Sequence, residues 1–321
     1  MQFNGAGTGR EIHVFHYAEH WFRWRWDRMA HSVWVQVNDI LRCVAKSALP
    51  SACGVGADGL DYSKIQNYIP PYGTLSRMIE DETRPSLHVL VRREDVDASR
   101  LDGRVVVVID VLFATSTIVH ALASGASRVY PAFDAEDARR AAVARPGALV
   151  AGEYLAKTLP EHAPATPLAL AARLETGREL VYFTTNGTRA IAACEGAAAV
   201  YAGALTNAAA LAAHIAATHP RTPVLLVCAG SVGRLCLEDF IGAGHLVRAL
   251  RDNGDYALTD AALAAAFAVG GADIDHLLTA SRVGRMLSRA GMGDEIAHAA
   301  ACDSSPVVPV LRDGALVRAA A

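Results

Sequence analysis

From residue 86 onward, short apolar runs alternate with Ala-rich stretches whose apolar positions recur at helical spacing. The runs LHVLV (87–91), RVVVVID (104–110), RVYPAF (128–133), ALVAGE (148–153), LVYFTTN (180–186), AVYAGAL (199–205), VLLVCAG (224–230) and SPVVPVL (305–311) predict strands. Between them, TSTIVHALASGA, AEDARRAAVAR, TRAIAACEGA, TNAAALAAHIAATH and LEDFIGAGHLVRALRDNG predict helices, each with a cap or apolar spacing suited to one. Strand followed by helix, repeated, is the pattern of an α/β protein. The expected fold is a three-layer α/β/α domain over residues 86–321 with a largely parallel or mixed sheet.

Before residue 86 the pattern fails. Trp21, Trp24, Trp26 and Trp34 lie there, followed by a turn-rich stretch, LPSACGVGADGLDYSKIQNYIPPYGTLS, with no sustained period. Residues 1–85 are expected to be an irregular N-terminal extension. Three readings of it stay open: a small accessory lobe, a disordered segment, or a stretch outside the natively translated product, because Met78 offers a second start just before the first clear strand.

At 321 residues and 52% hydrophobic, the chain has core material enough to fold without disulfides or metals. A net charge of -3 supplies no field to attract a phosphate backbone or an anionic membrane, so neither nucleic acid nor membrane is expected as a partner. The most apolar stretch, AIAACEGAAAVYAGALTNAAALAAHIAA, is broken by Glu195, Asn207 and His214 and does not form a span. Six cysteines without CxxC spacing fit reduced thiols, and the N-terminus lacks a basic and an apolar leader region, so a cytoplasmic location is expected. The expected partner is a small molecule, and a homo-oligomer is left open.

The unusual polar residues fall at strand ends. Asp110 ends one apolar run, Glu153 another, Thr184, Thr185 and Asn186 a third, and Gly230 and Ser231 a fourth. In open α/β sheets, ligands bind outside the carboxyl ends of strands, where helix N-termini also point. Asp110, Glu153, Glu238 and Asp239 supply hard oxygen ligands suited to Mg²⁺, while Thr115 to Thr117, Asn186 and Arg189 supply donors for phosphate oxygens. With no evident Cys or His nucleophile, hydrolysis of a phosphate ester at such a site needs a metal to neutralise charge and activate water. AGSVGRLCLED has glycines but fits neither GxxxxGK[ST] nor GxGxxG, which argues against a nucleotide. A remote alternative lies in the extension, where HYAEH (His16, Glu19, His20) matches a zinc-peptidase pattern.

The succession VVVVIDVLFATSTI, AGE, FTTNGTRAI, CAGSVGRLCLEDFIGAGHLV and CDSSPVVPVLRDG resembles the 2-phosphosulfolactate phosphatase family over nearly all of residues 86–321. The resemblance implies a Mg²⁺-dependent phosphatase hydrolysing (R)-2-phospho-3-sulfolactate to 3-sulfolactate and phosphate. Asp110, Ser116, Thr117, Glu153, Asn186, Gly187, Thr188, Arg189, Glu238 and Asp239 fall on its motifs. The assignment expected from this is Asp110, Arg189 and Asn186 as catalytic; Ser116, Thr117, Thr185, Gly187, Thr188 and Ser231 on the substrate; and Asp110, Glu153, Glu238 and Asp239 on Mg²⁺. Direct attack by water and transfer through a carboxylate such as Asp110 are both open. Two departures stand beside the expected pocket. Phe113 occupies a position where the family usually has Arg, and Ala165, Thr166 and Pro167 stand where Gly-Asn-Ser-Pro is usual. They leave room for another 2-phospho-hydroxy acid as substrate, or for a member that binds such anions without turnover.

Overall fold

A computed structural model describes residues 84–320 apart from Leu155, Ala156 and Pro160. The expectations for the N-terminal extension, including the second start at Met78 and the HYAEH pattern, therefore lie outside the described residues. Strand β2 (Val105–Ile109) is buried along its whole length. Its side chains alternate across the sheet as a strand requires. Val105, Val107 and Ile109 join one apolar core and Val106 and Val108 another, so both faces are covered.

β2 is flanked in parallel by β7 (Ala199–Gly203) and β8 (Val224–Cys228), and β8 by β1 (Ser86–Leu90), with the short β9 (Ala257–Leu258) outermost. A second parallel set runs β3 (Arg128–Ala132), β6 (Glu179–Phe183) and β4 (Leu149–Tyr154), with β5 (Lys157–Thr158) antiparallel at its edge. A hairpin, β10 (Pro309–Arg312) and β11 (Ala315–Arg318), lies between the sets and turns at Asp313 and Gly314, both at positive φ. β10 meets β7 through the single pair Val310 and Tyr201, and β11 meets β3 through Leu316 and Val129, both antiparallel. Three reversals between β7 and β3 make the two parallel sets run in opposite directions. Residues at the carboxyl ends of strands from both sets, Asp110 after β2 and Thr184 after β6, line one cavity.

Helices cover both faces, as expected for the α/β/α class. On the Val106 side lie α1 (Ala114–Ala123), through Ile118 and Leu122, and, beyond α2 (Ala135–Val143) and α3 (Pro167–Ala171), α4 (Gly187–Ala193), through Ile191. On the Val107 side lie α5 (Ala208–Thr218), α6 (Leu237–Asn253) and α7 (Asp260–Ala268). Three short helices follow, α8 (Ile274–Ala280), α9 (Arg282–Arg289) and α10 (Gly293–Ala300). Residues 257–300 thus form structure where the apolar pattern predicts no element. Their signal is in the caps: the side chains of Thr259, Asp273 and Ser281 accept from the backbone N–H groups of Ala262, His276 and Gly284. Among the described residues, no helix is long and apolar enough to cross a membrane.

Candidate active site

The hydroxyl cluster after β2 laces the turn into α1. Thr115 Oγ1 accepts from Asp110 N at 2.9 Å and donates to the Asp110 carbonyl at 2.9 Å. Ser116 Oγ donates to the Val111 carbonyl and Thr117 Oγ1 to the Ala165 carbonyl, at 2.8 and 3.0 Å. The peptide bond between Leu112 and Phe113 within this turn is cis. From α6, Asp239 binds across two strand ends: Oδ1 accepts from Val111 N and Oδ2 from Gly230 N, both at 3.0 Å. Charge-assisted bonds of this kind are the stronger class and fix the ends of β2 and β8 relative to each other.

The other strand set contributes a matching corner. Glu153, at the end of β4, accepts from Thr185 N at 2.6 Å and from Thr185 Oγ1 at 3.2 Å. Thr188 Oγ1 accepts from Thr184 N and donates to the Thr184 carbonyl, closing the turn from β6 into α4. Gly187 is needed here by close approach: a Cβ would lie 2.3 Å from Ala114 Cβ and 2.7 Å from Asp110 Oδ2. Asn186, beside it, accepts a 2.6 Å bond from Arg93 Nη1. A glycine thus lets the two corners meet.

Where they meet is a cavity of about 250 Å³ lined on its acidic side by Asp110, Glu153, Glu238 and Asp239, with Thr184, Thr185, Asn186 and Ser231 at its edge. Asp110 and Glu238 are buried, 9% and 3% exposed. Asp110 has one long bond from Ala114 N, 3.4 Å to Oδ1. Burial, opposed by the Ala114 N–H and aided by the Glu153 and Glu238 carboxylates, raises Asp110 from an ordinary 3.8 to about 7. Burial together with Asp110 and Glu238 also pushes Asp239 well above the usual carboxylate range. The Cys236 thiol, buried beside these acids, is pushed out of the range in which a thiolate nucleophile forms at neutral pH. The site thus gathers four carboxylic acids around one cavity, at a cost in burial that shows in the raised Asp110 and Asp239.

The structure brings Asp110, Glu153, Thr185, Asn186, Ser231, Glu238 and Asp239 to one cavity, and packs Gly187 against Asp110 without its lining the cavity. Ser116, Thr117 and Thr188 spend their hydroxyls on backbone carbonyls and do not line it. Arg189 lies against Phe133, its guanidinium 4.5 Å from the ring centroid and Nε donating to the Phe133 carbonyl, and also does not line the cavity. The cations at the site are instead Arg93, on Asn186, and Arg282, from α9. Phe113 lines the cavity as an apolar wall, and Ala165 and Thr166 line it too, the Ala165 carbonyl accepting from the Tyr182 hydroxyl at 2.7 Å. Arg93 follows the predicted strand LHVLV by two residues but belongs to none of the motifs singled out there, and Arg282 lies far from any predicted strand. The signal that could have found Arg282 is the Ser-Arg pair at a helix start.

Residues 90–314 match the family described as 2-phosphosulpholactate phosphatase. Three relatives each carry the name "Probable 2-phosphosulfolactate phosphatase". One, from Symbiobacterium thermophilum, is 35% identical over 229 residues, 68% of this chain and 96% of the relative. One from Deinococcus radiodurans is 35% identical, covering 65% of this chain and 88% of its own length. One from Clostridium novyi is 28% identical, covering 70% and 95%. The cavity and these likenesses fall on the same stretch of sequence, and the chain belongs to the 2-phosphosulpholactate phosphatase family of phosphoric monoester hydrolases.

Proposed function

We propose that this enzyme hydrolyses (R)-2-phospho-3-sulfolactate to 3-sulfolactate and inorganic phosphate with the help of Mg²⁺. Family membership supports a small phosphorylated substrate, and the names of the relatives point to this ester. The observation that carries the metal is the convergence of four carboxylates on one cavity, two of them held above their ordinary pKa by burial and mutual repulsion. Such a cluster alone repels a phosphate ester; a divalent cation reverses the sign of the site. Among the described residues no three His, Cys, Asp or Glu side chains close on a common point, so the fit rests on the chemistry of the donors rather than on a formed ligand cage.

Asp110 and Glu238 are the residues that would hold the ion, with Glu153 and Asp239, whose oxygens also accept from Thr185 and from Val111 N and Gly230 N, completing the set. Bound there, Mg²⁺ would neutralise phosphoryl oxygens and lower the pKa of water. The chain's own groups do the rest. Arg93 orients Asn186 and supplies positive charge near Asp110. Leu112 and Phe113 give the cavity an apolar wall that limits water and strengthens the charged contacts within. The described cysteines, Cys194, Cys228, Cys236 and Cys302, are all free thiols, which supports a cytoplasmic enzyme.

The test is phosphate release from synthetic (R)-2-phospho-3-sulfolactate by the purified chain, with Mg²⁺ and with EDTA. Mg²⁺-stimulated release is expected. Binding of the ester without release, or release unaffected by chelation, overturns the corresponding half of the reading.

A further inference from the structure

We propose that Arg282 recognises the sulfonate of the substrate, the acid group carried on the carbon next to the phosphoester in addition to the phosphate and the carboxylate, and so sets the enzyme's preference for sulfonated over unsulfonated esters. This deepens the hydrolase reading above and rests on it.

Four observations place Arg282 in that role. It lines the same cavity as the four carboxylates, and the other residues that its segment adds to the lining, Val283, Met286, Leu287 and Met292, are apolar. A lone guanidinium among apolar side chains is the donor a sulfonate entering that side would meet, and its planar fork matches two anionic oxygens. Next, its charge is uncommitted. Its nearest polar contact is Nη2 to the Cys236 Sγ at 3.9 Å, and among the described residues it forms no ion pair.

Third, the helix that carries it is fixed. Ser281 Oγ accepts from Gly284 N at 2.9 Å, Leu287 is buried, and Gly284 lies so close to α8 that a Cβ would sit 1.8 Å from the Leu278 carbonyl oxygen. Such packing holds Arg282, the first residue of α9, in register with the cavity. Fourth, the other cation of the site is already engaged: Arg93 donates to Asn186 Oδ1 and pairs with Glu94, which leaves Arg282 as the guanidinium open to an entering anion.

The experiment compares (R)-2-phospho-3-sulfolactate with 2-phospholactate, the same ester without the sulfonate, on the wild-type enzyme, Arg282→Met and Arg282→Lys. Arg282→Met is expected to lower kcat/KM for the sulfonated ester by about 10- to 100-fold, the range of a hydrogen bond to a charged group. The loss should fall mainly on KM, with the preference over 2-phospholactate dropping by tenfold or more and Arg282→Lys recovering part of it. Equal losses on both esters, or no loss, overturn the proposal. If the wild type releases phosphate from neither ester, the hydrolase reading fails by itself, and calorimetric titration with 3-sulfolactate and lactate decides Arg282. Tighter binding of 3-sulfolactate that vanishes in Arg282→Met supports the role. Equal affinity in wild type and variant, or no binding to the wild type, overturns it.

Discussion

Asp110 carries a buried carboxyl whose ionisation opposes folding. Its carboxyl binds a proton up to about pH 7 when folded but only to about its ordinary 3.8 when unfolded. Between those values the native state holds more protons, so the stability linked to this group is full below 3.8 and is lost as pH rises through about 7. Asp110→Asn should therefore raise the melting temperature at pH 8 in EDTA, by an amount equivalent to about 1–3 kcal/mol, and change it little at pH 4, while phosphate release falls by roughly a thousandfold. A drop in melting temperature at both pH values would show that the carboxylate stabilises the fold. Gly187→Ala tests the junction beside it. A Cβ 2.3 Å from Ala114 Cβ and 2.7 Å from Asp110 Oδ2 must push one of them aside. Chemical denaturation should show a loss of about 1–3 kcal/mol and kinetics a tenfold or greater fall in kcat. The acids of the site were legible because a charged residue ending an apolar run is conspicuous. Arg189 misled because TTNGTR gives a spacing and not a direction, and the ring of Phe133, distant in sequence, takes its guanidinium.

At the scale of elements, long apolar strands and the larger helices could be read, and residues 257–300 could not. The reason is physical: α8, α9 and α10 are seven or eight residues long, too short for a periodic pattern, and are held by side-chain caps on α8 and α9 and by contacts with α6, α3 and one another rather than by propensity. Yet this segment supplies one side of the cavity. α9 is the sensitive piece, because Gly284 packs against the Leu278 carbonyl with no space for a side chain. Gly284→Ala should tilt α9, with a stability loss of about 1–3 kcal/mol measured by denaturation and a rise in KM larger than any fall in kcat. An unchanged KM would mean that α9 does not shape the substrate's binding.

For the whole molecule, alternation of strand and helix revealed the class but not the order of strands, since order depends on which edges meet after collapse and leaves no periodic trace. Two parallel sets running in opposite directions, each delivering acids to one cavity, were beyond reach of the pattern; so was β11, four residues after an Asp-Gly turn. The hairpin joins the ladder of each set at one residue pair, and no other strand pairing bridges the sets among the described residues. Removing residues 309–318 should leave two islands of sheet, each keeping much of its own circular dichroism, with Glu153 on one and Asp110 on the other. Phosphate release should vanish although every acid is still present in the chain. A ribbon of ten residues, remote in sequence from the carboxylates, thus acts as the clasp that turns two inert halves into one catalyst.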